Sequence, residues 1–129
     1  FQVNVDEMVI TGGLKTDAGR DRIIPIHPRI QPYILNRYRT CRNKLIECDG
    51  CGYTAHQYRK QYYKVLERLG ISRITPHKAR HTFFSLMDRY CQDKKAMADV
   101  GGHTDARFTQ SVYVHPDIER LRNAVNCLP

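Results

Sequence analysis

The sequence predicts a mainly α-helical chain with a small antiparallel β-sheet, an α+β class of fold. Two runs rich in β-branched residues, 8–14 and 22–26, flank the turn-forming sequence of residues 16–20, which is the pattern of a β-hairpin. From residue 28 onward, apolar residues recur at three- and four-residue spacing between caps, prolines and glycines, as in amphipathic helices. The 129 residues suffice for one domain with a modest core.

Most predicted elements carry their own start or stop signal. A short strand is expected at residues 1–5, ahead of the hairpin. Thr54 and Gly70 bound one helix, and Thr75 with Pro76 opens the next, because a hydroxyl cap followed by proline favours a helix start. The expected helices cover residues 28–38, 55–69, 76–90, 93–100, 105–114 and 117–125.

The charge of the chain indicates a polyanionic partner. Lysine and arginine number 21 against 13 acidic residues, which gives a formal net charge of +8. Such an excess favours nucleic acid first and a membrane surface second. No apolar run approaches the ~18 residues of a membrane span. The five cysteines are an odd number, which favours a reduced, cytoplasmic setting.

A group of basic residues opens the helix expected at residues 76–90. His77, Arg80 and His81 fall at i, i+3 and i+4, so they share one face of the first turn. Backbone N–H groups and the helix dipole favour an anion there, and an arginine offers a forked donor for two phosphate oxygens. The residues alone leave open whether this is an anion site or a solvated helix start. The stripe expected to face the core is Ala79, Phe83, Leu86 and Tyr90.

Three further motifs lie on either side of this turn. Lys15-Thr16 and the sequence Arg-Ile-Ile-Pro at residues 22–25 belong to the predicted hairpin. Gly102-His103 follows the helix at residues 93–100. Tyr113 comes ten residues later and is followed by His115.

In this order and spacing, the four motifs resemble the catalytic domain of the tyrosine recombinases, the phage integrase family. That family carries a hairpin lysine, a His-x-x-Arg box on a helix, a Gly-His box, and a nucleophilic tyrosine about ten residues further on. The resemblance implies catalytic roles for Lys15, His77, Arg80, His103 and Tyr113. It also leads us to expect DNA contacts from Arg20, Arg22, Thr75 and Lys78.

The activity that the resemblance implies is site-specific DNA recombination or integration. Tyr113 would attack a phosphodiester and form a 3′-phosphotyrosyl link, leaving a free 5′ hydroxyl. Arg80 and His103 would neutralise the nonbridging oxygens, His77 would accept the proton of Tyr113, and Lys15 would protonate the leaving oxygen. No metal, ATP or other cofactor is expected. ATP is not needed because the phosphotyrosyl link retains the energy of the phosphodiester bond, and a divalent metal is not expected because the basic motifs would repel it.

The resemblance also implies a place in a larger protein. Residues 1–129 correspond to the C-terminal part of the catalytic domain, so the helix with the first arginine and the N-terminal DNA-clamping domain would lie upstream. We therefore expect the chain alone to be inactive. Its parent is expected to be a bacterial, nucleoid-associated integrase of a phage or other mobile element that forms a synaptic tetramer through the C-terminal helix. Gly101 departs from the family, which usually has a bulky apolar residue there, and this predicts a looser helix end before His103.

Two other functions remain open at this point. A noncatalytic DNA-binding module could keep the same fold, although binding alone requires no tyrosine at position 113. A metal-independent nuclease could use the histidines and Lys15 on RNA. A stable protein–DNA adduct would indicate the recombinase, and cyclic phosphate products the nuclease.

The cysteine spacing raises one further question. Cys41, Cys48, Cys51 and His56 form the pattern C-x6-C-x2-C-x4-H, which superficially suggests zinc. Because there is only one Cys-x-x-Cys pair, thiols in a loop are the favoured interpretation.

Overall fold

The structure is a computed structural model that describes residues 2–13, 22–48, 50–102 and 117–129. Within these ranges the strands are β1 (Gln2–Asn4), β2 (Val9–Thr11), β3 (Ile23–Pro25), β4 (Glu47–Cys48) and β5 (Cys51–Gly52). The helices are α1 (Gln31–Thr40), α2 (Ala55–Arg68), α3 (Pro76–Tyr90), α4 (Lys94–Gly101) and α5 (Ile118–Asn126). This mainly helical chain with a small antiparallel sheet confirms the predicted fold class. It forms two units, Phe1–Gln31 with Phe83–Pro129, and Pro32–Thr82.

The three-stranded sheet of the first unit contains the predicted hairpin. Its order is β1-β2-β3, both pairs are antiparallel, and Ile10 lies opposite Val3 on one side and Ile24 on the other. The N–H of Ile26 donates to the carbonyl of Met8 over 2.8 Å, which extends the pairing beyond β3. The strands are shorter than predicted, and the expected turn at residues 16–20 lies outside the described residues.

The core of the first unit brings α3, α4 and α5 together. Its buried members are Met87, Cys91, Ala96, Val100, Leu121, Ala124 and Val125, and β3 packs Ile23 and Ile24 against them. The predicted stripe of α3 was therefore only partly right. Phe83 does pack on the core, but Met87 is the buried residue of the helix, whereas Ala79 is exposed and Tyr90 is 44% exposed. Phe83, Met87 and Cys91 follow one another at i, i+4 and i+8, and α4 and α5 pack on that stripe.

Helix α5 is docked on the first unit by charge as well as by apolar contact. Arg120 makes a forked contact with Asp93, with Nε 2.5 Å from Oδ2 and Nη2 2.6 Å from Oδ1. Asp93 also caps α4, since its Oδ1 accepts from the N–H of Ala96 over 2.9 Å. The hydrogen bond from Arg120 is the main reason that the pKa of Asp93 lies below its usual value. Arg122 adds a 2.8 Å hydrogen bond to the carbonyl of Glu7.

The second unit contains α1, the β4–β5 hairpin and α2. Helix α2 begins with a capping box, in which Thr54 and Gln57 each satisfy a backbone N–H of the other, and Leu66 is its buried residue. Helix α1 begins at Gln31 rather than at Pro28, because residues 28–30 form a turn in which the carbonyl of Pro28 accepts from Gln31. No residue of α1 is buried. No helix among the described residues is long and apolar enough to cross a membrane.

Candidate active site

Helix α3 begins as predicted and carries the His-x-x-Arg turn. Pro76 is its first residue, and Thr75 precedes it as a cap: the Thr75 hydroxyl accepts a hydrogen bond from the N–H of Lys78 over 3.3 Å. Proline fits this position because the first N–H groups of a helix have no partner within it. The predicted DNA contacts Thr75 and Lys78 therefore lie at an N-terminus whose dipole favours an anion. Lys78 is exposed.

The basic face of this turn is ordered by a contact between its two histidines. The rings of His77 and His81 pack edge to face, with their centroids 4.8 Å apart and their planes at 87°. Both histidines are exposed, whereas Arg80 is half-buried. A half-buried guanidinium on a helix N-terminus loses less orientation freedom on binding a phosphate than an exposed one does. His81 thus packs against the ring of His77.

The end of α4, which precedes His103, is held by contacts to two other elements. Gly102 has φ +63°, in the left-handed region that closes many helices, and its N–H donates to the carbonyl of Ala98 over 2.8 Å. Gly101 is buried, and a Cβ at this position would overlap the ring of Phe84. The Phe84 ring therefore occupies the space that a bulky residue at 101 would take.

Arg22, expected to contact DNA, holds this helix end. Its Nη1 donates to the carbonyl of Gly101 over 3.1 Å, and its guanidinium lies so close to Gly102 that a Cβ there would overlap it. The carbonyl of Gly101 lies at the helix terminus, where a cation is favoured by the dipole. The sequence predicted a looser helix end at this point. Among the described residues, that end is held to the segment before β3.

The remaining predicted residues lie outside the described part of the chain. These are Lys15, Arg20, His103 and Tyr113, and their roles stay predictions. The described site residues fall in both units: His77 and Arg80 belong to Pro32–Thr82, and Arg22 belongs to the other unit.

A basic cleft in the second unit was not located by the sequence. Its volume is about 800 Å³, and it follows one stripe of α2 and the segment after it. Four cations and one carboxylate, Glu67, line it, and the guanidinium carbon of Arg73 lies 4.2 Å from the centroid of the Tyr63 ring. Arg59, Lys60 and Lys64 lie on α2 itself, but Arg73 lies beyond this helix and only the fold brings it there. The basic and aromatic members are His56, Arg59, Lys60, Tyr63, Lys64 and Arg73.

The cysteines do not assemble a closed metal site within the described residues. There, no group of three or more His, Cys, Asp or Glu side chains could hold a metal ion. Cys48 and Cys51 lie opposite each other on β4 and β5. Sγ of Cys41 lies 3.6 Å from the carbonyl oxygen of Leu45.

Comparison with known proteins places the chain in a family. Residues 10–120 match the profile of the Phage integrase family, so the chain belongs to that family. This membership confirms the resemblance drawn from the four motifs.

Three curated relatives are named tyrosine recombinases. Tyrosine recombinase XerC of Chlorobaculum tepidum is 30% identical over 138 residues, covering 94% of this chain and 41% of the relative. XerC of Roseiflexus castenholzii is 30% identical over 109 residues, covering 75% of this chain and 34% of the relative. XerD of Vibrio cholerae is 30% identical over 69 residues, covering 54% of this chain and 22% of the relative. The chain thus spans about two-fifths or less of these relatives' lengths, and no solved structure matches it.

Proposed function

We propose that this chain is part of the catalytic domain of a site-specific tyrosine recombinase whose parent cuts and rejoins double-stranded DNA. The observation that carries the proposal is the His77–Arg80 turn at the capped start of α3, in a member of the phage integrase family. Residues 1–129 would be the C-terminal part of that domain. The parent would act on DNA in the bacterial cytoplasm as the integrase of a phage or other mobile element.

The proposed reaction is a transfer of a phosphoryl group between oxygens. The phenolic oxygen of Tyr113 attacks the scissile phosphorus while the bond from phosphorus to the 5′ oxygen breaks. His77 takes the phenolic proton, and Lys15 gives a proton to the departing 5′ oxygen. Arg80 and His103 stabilise the charge that builds on the nonbridging oxygens. Attack of another 5′ hydroxyl on the phosphotyrosine then joins a new strand.

The proposed chemistry requires neither ATP nor a metal ion. One phosphate ester is exchanged for another at each step, so the energy of the bond is retained. The charge stabilisation that Mg²⁺ provides in other phosphoryl transfers would come from the cationic side chains. Carboxylates, which Mg²⁺ prefers as ligands, are missing from the proposed catalytic set.

We propose that the basic cleft beside α2 adds phosphate contacts to this site. Its cations Arg59, Lys60, Lys64 and Arg73 are all exposed, and Tyr63 offers an aromatic face in the same cleft. Contacts of this type hold the backbone of DNA without reading its sequence. Thr75 and Lys78 at the start of α3, together with Arg20 and Arg22, would extend the DNA contacts.

We also propose that the parent forms a synaptic tetramer through its C-terminal helix, α5. The contacts of α5 within its own unit restrict how this can happen. Leu121, Ala124 and Val125 are buried in the first unit's own core, and Arg120 pairs with Asp93 of the same unit. A tetramer joined by this helix would therefore have to exchange the same contacts between copies, releasing α5 from its own core. Binding of one protomer to DNA requires no such exchange.

The chain alone is expected to form little or no covalent adduct with DNA. Recombinases of this family use two arginines on the scissile phosphate, and Arg80 matches the second. Residues 1–13 contain no lysine or arginine that could replace the first. Removing one preorganised donor costs about 10²–10³ in rate.

The experiment that tests the proposal is adduct formation by the parent protein on a nicked suicide substrate. Arg80→Lys should lower the rate of adduct formation by about 10²–10³ because lysine lacks the fork, while DNA affinity changes little. Arg89→Lys on the same helix is the matched control, since its guanidinium lies over the ring of Tyr90. A full rate in the Arg80 variant, or cyclic phosphate products, would contradict the proposal.

A further inference from the structure

The hairpin of β4 and β5 places two thiols side by side. Cys48 and Cys51 are direct partners in this antiparallel pair, with residues 49 and 50 between them. Directly opposite residues carry their side chains on the same face of a sheet, so the two thiols are neighbours. Both cysteines are exposed to solvent.

Hydrogen bonds to the side chain of Glu47 help to hold the hairpin. The carboxylate of Glu47 accepts the N–H groups of Arg42, Asn43 and Lys44, at 2.6, 2.9 and 2.8 Å. These hydrogen bonds, that from Arg42 first, hold the pKa of Glu47 below its usual value. Glu47 precedes Cys48 on the same strand, so its side chain leaves from the other face.

Two other side chains fix the strands of the hairpin. Arg37 donates to the carbonyl oxygens of Leu45 and Glu47, both over 3.1 Å. Asn43 donates from Nδ2 to the carbonyl of Gly50 over 2.9 Å. The backbone on both sides of the thiols is therefore positioned before any bond forms between them.

We propose that Cys48 and Cys51 form a dithiol site that low-molecular-weight disulfides, such as glutathione disulfide, oxidise reversibly to an intramolecular disulfide. One cysteine thiolate attacks a sulfur of the reagent, breaks its S–S bond and releases one thiol. The second cysteine then attacks the mixed disulfide and releases the second thiol. Two electrons pass from the chain to the reagent, and both cysteine protons leave with the two thiols.

The spacing of paired strands suits this reaction and its reversal. Opposite Cα atoms in antiparallel strands lie about 4.5–5.5 Å apart, within the range of about 4.4–6.8 Å that disulfides span. Opposite Cβ atoms lie about 4.5–5.5 Å apart, more than the mean of about 3.8 Å in a disulfide, so closure requires a small local movement. A disulfide that is exposed and formed against such resistance is readily reduced.

The other three cysteines are placed differently. Cys91 is 4% exposed and belongs to the core of the first unit. Cys127 is exposed, also in the first unit, with Sγ 3.2 Å from the carbonyl oxygen of Asn123. Cys41 is half-buried, with Sγ directed at the carbonyl of Leu45. The hairpin pair is therefore the pair expected to react as a unit.

The test is oxidation of the 129-residue chain in glutathione redox buffers, followed by acid quenching, alkylation and peptide mass spectrometry. We expect the peptide containing Cys48 and Cys51 to lose two hydrogen atoms without retaining glutathione, and Cys127 to carry glutathione instead. Dithiothreitol should restore both thiols. Neighbouring cysteines can also pair in an unfolded chain, so the same titration is repeated in urea. There we expect the effective concentration of one hairpin thiol relative to the other to be about tenfold lower.

Serine variants supply the matched controls. Cys48→Ser and Cys51→Ser should each trap glutathione on the remaining hairpin cysteine, whereas Cys41→Ser should leave the internal disulfide unchanged. Independent glutathionylation of Cys48 and Cys51 in the unmodified chain would overturn the proposal. Equal effective concentrations of the two hairpin thiols with and without urea would also overturn it. The same holds if Zn²⁺ binds both thiols and protects them from oxidation.

Discussion

Arg22 donates a hydrogen bond from Nη1 to the carbonyl oxygen of Gly101, 3.1 Å away, and so ties the segment before β3 to the last residue of α4. The Gly-His motif of the family begins at the next residue, Gly102. The helix end immediately before this motif is therefore held partly by a residue of the predicted hairpin. The contact links a residue of the hairpin motif to the residue that directly precedes the Gly-His motif.

Loss of this contact should destabilise the first unit. Arg22→Ala leaves the carbonyl of Gly101 without its charged donor, and we expect the free energy of unfolding to fall by about 1–3 kcal/mol. Urea titration monitored by circular dichroism measures it. Arg29→Ala removes an exposed arginine a few residues away and should change stability by less than about 0.5 kcal/mol. Equal effects of the two substitutions would show that Arg22 does not hold the helix end.

The sign of the effect of Gly101→Ala tests the contact with Phe84. In a helix without that contact, alanine in place of glycine should stabilise by about 1 kcal/mol. Because the new Cβ overlaps the Phe84 ring, we expect destabilisation of about 1–3 kcal/mol instead. In a double-mutant cycle with Phe84→Leu, the second substitution should relieve part of this loss. A more stable Gly101→Ala protein would show that the Phe84 ring does not fill the space beside Gly101.

The ion pair of Asp93 and Arg120 should make stability depend on pH at the acid side. The pKa of Asp93 is lowered in the folded chain, from a usual value of 3.8, mainly by the hydrogen bond from Arg120. A carboxyl with a depressed folded pKa contributes stability that is present above its unfolded pKa and is lost as the pH falls through its folded pKa. The contribution should therefore decline below about pH 4.

Asp93→Asn isolates this effect, because asparagine also caps helices well. At neutral pH we expect the free energy of unfolding to fall by about 1 kcal/mol. The loss is no larger because both side chains are partly exposed and solvent screens the pair. The difference from the unmodified chain should shrink as the pH is lowered. Asp88→Asn, at the more exposed pair with Lys94, is the control and should have a smaller effect. A constant difference from pH 7 to pH 3 would exclude a role for the charge.

The basic cleft should contribute to the salt dependence of DNA binding. Each phosphate that the protein neutralises adds about −0.9 to the slope of log affinity against log salt concentration. Lys64→Gln and Arg73→Gln should each reduce the slope by about that amount, measured by fluorescence anisotropy on duplex DNA. Lys44→Gln removes a charge of the same unit outside the cleft and should leave the slope unchanged. Unchanged slopes in both cleft variants would place the DNA elsewhere.

Features that depend on near neighbours in the sequence could be predicted. Helix α3 begins at Pro76 and ends at Tyr90 as expected, because its start depends on a local cap and proline and its length follows from the helical period of its own residues. The cap of α2, Thr54, was identified for the same reason, whereas Asp117 was placed inside the last helix and is in fact the cap of α5. The basic turn with His77 and Arg80 depends only on helical spacing, so the sequence placed it correctly on a helix start.

Features that depend on distant partners could not be predicted. Apolar residues occur on two neighbouring stripes of α3, and packing by α4 and α5 buries Met87 rather than Tyr90. The bond from Arg22 to Gly101 joins residues 79 apart in the chain. The ring of Phe84 fills the space at Gly101, which the sequence could record only as a departure from the family.

Locating the covalent adduct shows whether this chain supplies a tyrosine nucleophile to DNA. The parent protein would be incubated with a nicked suicide substrate, and the denatured adduct would be digested and mapped by mass spectrometry. We expect a 3′-phosphotyrosyl nucleotide on Tyr113, and we expect Tyr113→Phe to form no adduct while its DNA affinity is unchanged. An adduct on another residue, or one that persists in Tyr113→Phe, would contradict it.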